Sequence, residues 1–129
     1  MIAAIRAEGG HVVLLDAGDQ FQGTLFFTYY SGQAAAQVMT RFGYDAMALG
    51  NHEFDDGPDV LANFAEAVDV PLLLANADLS GEAKLADGVE AATIGEKRGE
   101  KIGIIGLTPE DNAELSSPGK TITFTDPVE

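Results

Sequence analysis

Three apolar runs, Val12 to Leu15, Ala46 to Leu49 and Val70 to Ala75, are separated by segments whose apolar residues recur at helical spacing. A strand covered on both faces reads as a continuous aliphatic run, whereas a strand with one wet face alternates. Parallel neighbours need a crossover long enough to hold a helix, so this recurrence of strand, loop and helix predicts an α/β fold with a parallel sheet. Ala34, Ala35, Val38, Met39 and Phe42 form the first helical stripe, with Ser31 as its expected N-cap and Gly43 closing it. Val60, Leu61, Phe64, Ala65 and Val68 form the second, with Pro58 at a first helical position; Pro71 stands at a strand's start, where it is tolerated.

Outside this repeat, Ile2 to Ala7 reads as the last turns of a helix ended by Gly9 and Gly10. Residues 20–30 read as a Gly- and aromatic-containing loop, and 78–88 as a polar surface loop. Ala91 to Gly95 and Lys101 to Leu107 flank a charged, Gly-containing turn and predict a β-hairpin. Thr121 to Phe124 is a further short strand in a Pro-rich final stretch. With 129 residues and no internal repeat or linker, the chain is at most one domain.

The net charge of −14, from 21 acidic residues against 7 Lys plus Arg, repels nucleic-acid polymers and anionic membrane surfaces. A phosphate ligand would then need bound metal ions, because a basic pocket is not available to neutralise it. The absence of Cys excludes disulfides, thiolate metal sites and thiol catalysis. No apolar run is long enough to span a bilayer, and the N-terminus does not read as a signal peptide.

Chemistry-bearing residues gather at the carboxyl ends of the first two strands, where ligands bind in open α/β sheets. Asp16-Ala17-Gly18-Asp19 follows the first run and Gly50-Asn51-His52-Glu53-Phe54-Asp55 the second. Asp19, following a glycine at a strand end, can present both oxygens to a pair of divalent cations; in isolation Gly-Asp is more often a turn. Asn51 offers a hard amide oxygen, or an Asx turn. His52 can donate a proton to a leaving alkoxide or stabilise charge on phosphoryl oxygens. Asp55, three residues on, can accept from its ring and raise its pKa; Asp55 and Asp56 equally suit the first turn of a helix near Pro58. Glu53 falls in that bland class or stands behind the site, Asp16 braces its loop by hydrogen bonds, and His11 is a surface residue remote from the carboxyl edge.

Together with Lys101 to Thr108, the blocks Leu15 to Thr24 and Tyr44 to Asp55 closely resemble the 5′-nucleotidase branch of the calcineurin-like metallophosphoesterases. The resemblance spans nearly the whole chain, and three blocks agree in order and spacing. It implies a four-layer α/β/β/α sandwich and hydrolysis of nucleoside 5′-monophosphates to nucleoside and phosphate by a water activated between two divalent ions: zinc, manganese, magnesium or cobalt. Asp19 would then be the bridging metal ligand, Asn51 a ligand of one metal, and His52 with Asp55 the catalytic dyad. Periplasmic or cell-surface location follows from the same likeness. A 2′,3′-cyclic-nucleotide phosphodiesterase or another hydrolase of the superfamily is the neighbouring reading, and a non-catalytic fragment or binding module is the reading from another class.

Two departures shape the expectation for residues 1–129. The family carries an earlier Asp-x-His motif on its first strand and three later metal-binding histidines, the last two as Gly-His-x-His, whereas the histidines here are His11 and His52 alone. The chain is therefore expected to be a partial metallophosphoesterase domain lacking that first strand and those histidines, with weak metal binding, little activity of its own, and an unpaired sheet edge with uncovered apolar area.

Overall fold

The computed structural model describes residues 1–128. Helix α1 (Ile2–Ala7) buries none of its side chains. It is held to the body by Arg6, whose guanidinium donates to the carbonyls of Phe42 (2.8 Å) and Gly43 (2.6 Å). Those carbonyls end the helix Gln33–Phe42, so the cation also complements a helix C-terminus. The parallel sheet then builds in order: β1 (Leu15–Asp16), β2 (Ala46–Ala48), β3 (Leu72–Leu73) and β5 (Val89–Glu90), arranged β1-β2-β3-β5. Leu15 pairs with Ala46, Met47 with Leu72, and Leu72 with Val89.

The crossovers α3 (Gln33–Phe42) and α4 (Pro58–Ala67) pack on one face. Their buried Ala36, Met39, Leu61 and Phe64 meet Met47, Leu49, Leu72 and Leu74 in one core cluster. Pro58 starts α4 and Gly43 (φ +64) ends α3, as the sequence predicts. The hairpin of β6 (Ala92–Lys97) and β7 (Glu100–Ile105) turns at Arg98 and Gly99; its Ile104 and Ile105 line a cavity with Leu15, Ala46, Ala48 and Leu73, and its Lys97 pairs with Asp45. It returns to the sheet at Gly106, whose carbonyl accepts from Ala75 (2.7 Å), and a side chain there would meet Leu73 backbone at 2.2 Å. A small antiparallel pair, β4 (Ala77–Asp78) with β8 (Thr123–Phe124), completes the strands.

Several expectations are corrected. Residues 25–30 form a helix, α2 (Leu25–Tyr30), capped by the Thr24 hydroxyl, which accepts from Phe27. Ser31 ends that helix at φ +47 and Gly32 precedes α3, so Ser31 is not its N-cap. The segment 78–88 contains α5 (Ala83–Ala86), formed because Leu85 has a place in the core. A last short helix, α6 (Asn112–Leu115), lies before β8. The first strand pairs only at Leu15–Asp16, because its neighbour begins at Ala46; Leu14 is instead bonded to Asp45 through both its N–H (2.8 Å) and its carbonyl (2.7 Å).

β1 lies at the sheet's edge, and Leu15 is 48% exposed there. Ile94 and Ile105 on the hairpin are 72% and 66% exposed. The expected open edge and uncovered apolar area are thus present among the described residues. No helix of the described residues is long and apolar enough to cross a membrane.

Candidate functional site

β1 and β2 are parallel neighbours, so the loops leaving their carboxyl ends emerge side by side. They touch at two glycines. A Cβ on Gly18 (φ +94) would lie 2.3 Å from the Gly50 nitrogen and 2.9 Å from the Ala48 carbonyl oxygen; a Cβ on Gly50 would lie 2.2 Å from Asp19 Oδ1. Asp19 has φ +60, a left-handed conformation that Asp tolerates better than most side chains. Gly18→Ala is expected to cost about 2–5 kcal/mol, from backbone strain and a clash against backbone that cannot step aside. Gly23 has the same sign of φ (+75) with nothing within 4 Å of its added Cβ, and Gly23→Ala is expected to cost about 1 kcal/mol. Urea unfolding of the two variants separates strain from contact, and equal losses would refute the close approach.

The loops are bonded reciprocally. Asp19 Oδ1 accepts from the His52 N–H (3.1 Å). In the other direction, the Glu53 carboxylate accepts from Asp19 (2.8 Å), Gln20 (2.6 Å), Phe21 (3.3 Å) and Gly50 (2.8 Å) backbone N–H groups. Burial pushes the Glu53 carboxyl up, and the four N–H groups act against that rise. Glu53 is fully buried, so it is not a first-turn acid facing water. No local signal in the sequence marks this role, since its partners in the loop after β1 are more than thirty residues away. Asp16 braces its loop, accepting from Gly18 N–H (3.0 Å) and, with both carboxylate oxygens, from Gln20 Nε2 (3.1 and 3.0 Å).

A single 3₁₀ turn, His52–Phe54, presents the imidazole. Phe54 is fully buried and packs edge-on against Phe124 at 5.5 Å, which anchors the turn while His52 stays exposed. His52 Nδ1 and Asp55 Oδ2 are 2.7 Å apart. The Asp55 hydrogen bond is the main cause that holds the His52 pKa above 6.5, with the nearby carboxylates of Asp55, Asp19 and Glu53 adding to it and partial burial opposing it. Asn51, half-buried, starts this turn without a side-chain capping bond.

The structure thus brings Asp19, Asn51, His52 and Asp55 to one edge. His11 is exposed and lines a cavity with Arg6, Lys97 and Arg98. Asn76, three residues beyond β3 and directly before β4, is buried and spent on the fold. Its amide donates to Thr108 (2.8 Å) and Thr125 (2.9 Å) carbonyls and accepts from Thr108 N–H (3.0 Å).

Among the described residues, no group of three or more His, Asp or Glu side chains stands where it could hold a metal ion. Asp19 and Asn51 are hard oxygen donors, but two do not enclose a divalent cation. No Lys or Arg of the described residues hydrogen-bonds to this edge; Lys97 pairs with Asp45 and Arg6 is bound to α3. The edge is therefore acidic apart from His52.

No protein-family model matches the chain. Individual proteins do. The chain is 42% identical over 159 residues to a trifunctional nucleotide phosphoesterase of Bacillus subtilis, a match covering 99% of this chain and 11% of that protein. To a 5′-nucleotidase of Diplobatis ommata it is 43% identical over 132 residues, covering 99% and 23%. The crystal structure of a 5′-nucleotidase precursor from Thermus thermophilus superimposes with a TM-score of 0.95 at 44% identity, over 98% of this chain and 25% of that one. A calcineurin-like phosphoesterase from Bacillus subtilis superimposes with a TM-score of 0.72 at 26% identity. The chain spans a quarter or less of the length of the first three of these proteins. Sequence and fold agree that the chain belongs to the 5′-nucleotidase family of calcineurin-like phosphoesterases.

Proposed function

We propose that this chain supplies the proton-donating part, and two of the cation-binding groups, of a centre that hydrolyses nucleoside 5′-monophosphates to nucleoside and phosphate. The observation that carries this reading is the His52–Asp55 pair, 2.7 Å apart on an exposed turn beside Asp19. An imidazole exposed to solvent, oriented through Nδ1 by a carboxylate that also raises its pKa, leaves Nε2 to face a ligand. There it can give a proton to the leaving nucleoside oxygen or stabilise charge on the phosphoryl group. Asp16, Asp19, Glu53 and Asp55 would repel a phosphate, so the same edge needs divalent cations, to which Asp19 and Asn51 would contribute oxygens. The remaining ligands would have to come from outside the described residues. We therefore read residues 1–129 as part of a metallophosphoesterase domain, and expect the isolated chain to bind cations weakly and release little phosphate. A periplasmic or cell-surface setting is proposed on the family likeness.

The test is a chimera in which this chain replaces the matched quarter of the Thermus thermophilus protein. With manganese or zinc, the chimera should release phosphate from AMP at a rate within about tenfold of its parent, since the replaced part keeps the fold at 44% identity. A folded chimera that binds metal yet leaves AMP intact would overturn the proposal. So would brisk metal-dependent hydrolysis by the 129-residue chain alone.

A further inference from the structure

A carboxylate with no exposed surface and no cationic partner needs a reason to be kept, because an isolated buried charge is costly. Glu53 is fully buried, and among the described residues no Lys or Arg bonds to it. Its two oxygens divide their work. Oε2 accepts from Asp19 and from Gly50, one N–H from each loop, at 2.8 Å each. Oε1 accepts from Gln20 (2.6 Å) and Phe21 (3.3 Å), both in the loop after β1, more than thirty residues away in sequence. Every group pointed at the carboxylate is a donor, so its charge is matched by N–H dipoles from both loops at once.

We propose that Glu53 is the positioning residue of this site, its carboxylate fixing the Asp19 loop and the Asn51–His52 turn at one separation. The loops lie beyond the last ladder pair of β1 and β2, Asp16 with Met47, so the sheet does not set their spacing. Two contacts across the gap remain without Glu53: the glycine approach, which sets a lower limit on the distance, and the His52 N–H to Asp19 bond, which starts from a main-chain group next to Glu53 itself. The glycines prevent the loops from closing further, and Glu53 prevents them from opening. Asp19 feels this most directly. Its own N–H is bound to Glu53 while its backbone holds φ +60, so the clamp maintains the conformation that aims its carboxylate at His52. What the clamp positions these groups for rests on the reading given under Proposed function; that the clamp exists does not.

Glu53→Gln tests the charge with the shape kept. A glutamine has one acceptor oxygen, and whichever way its amide turns, an NH₂ group faces two N–H donors. In the 129-residue chain, hydrogen exchange at the Asp19, Gln20 and Gly50 amides should accelerate about 100-fold, while the Leu61 and Phe64 amides in α4 change by less than about tenfold. In the chimera the same change should lower kcat by about 10- to 100-fold with KM nearly unchanged, the pattern of misplaced groups with binding retained. Uniform acceleration across loops and core would make Glu53 a stability residue only, and unchanged kcat in a folded variant would remove its positioning role; either overturns the proposal. Should Glu53→Gln fail to fold, exchange in the unmodified chain decides. The Asp19, Gln20 and Gly50 amides should be protected about 100-fold over the Gly23 amide, and equal exchange would refute the clamp. If the chimera is inactive with Glu53 intact, the phosphoesterase reading fails and the exchange pattern alone judges the clamp.

Discussion

His52→Ala in the chimera is expected to lower kcat by about 10²- to 10⁴-fold while bound metal stays unchanged. Among the described residues the imidazole is the only side chain at this edge that can carry positive charge, and its Nδ1 is committed to Asp55 at 2.7 Å. Removing it takes away the proton donor and leaves the Asp19 carboxylate and the Asn51 amide in place, which is why metal content and turnover should separate. Loss of metal in the variant would mean that His52 is a ligand and that the roles are wrongly divided. The pH dependence has a definite sign. Pairing with Asp55 raises the His52 pKa above 6.5, so the proton-bearing form persists to higher pH than for a free imidazole. Activity that needs this proton should fall as pH rises through the raised value. In Asp55→Asn the main cause of the rise is gone, and the falling limb should move to lower pH; an unmoved limb would assign it to another group.

The parts of this site that were legible in the sequence are those set by strand ends and short spacing. Asp19, Asn51 and His52 fall at one edge because a parallel α/β repeat sends successive loops to the same side. Asp55 meets His52 because one 3₁₀ turn closes over three residues. Glu53 was not legible, since its role depends on N–H groups more than thirty residues away that exist as unpaired donors only once β1 and β2 lie side by side. The same limit explains Ser31 and the segment 25–30. A run of Leu, Phe, Thr and Tyr carries no strong helical period, and it becomes a helix because Thr24 caps it and Phe27 finds the core. The likeness to a known family was legible from three motif blocks, and relatives over nearly the whole chain bear it out.

Phe21→Ala is expected to cost about 3–5 kcal/mol and to loosen the site along with the core. Phe21 is 2% exposed, and its ring lies 4.6 Å from that of Phe27 and 5.3 Å, edge-on, from that of Phe64. Gly32 is tight against the same ring: a Cβ there would come within 2.6 Å of it. The residue thus joins α2, the turn before α3, and α4 around one side chain, while its backbone N–H reaches Glu53. Deleting the ring opens a cavity lined by elements that cannot all move inward, since α4 is also packed on the sheet through Leu61 and Phe64. Phe21→Leu keeps most of the volume and should cost under about 1.5 kcal/mol. If Phe21 transmits packing to the site, Phe21→Ala should also speed exchange of the Asp19 and Gln20 amides beyond the change seen in α4, and Phe21→Leu should not. Equal exchange in α4 and the loop in Phe21→Ala would show that the aromatic cluster stabilises the whole chain without a separate hold on the loop.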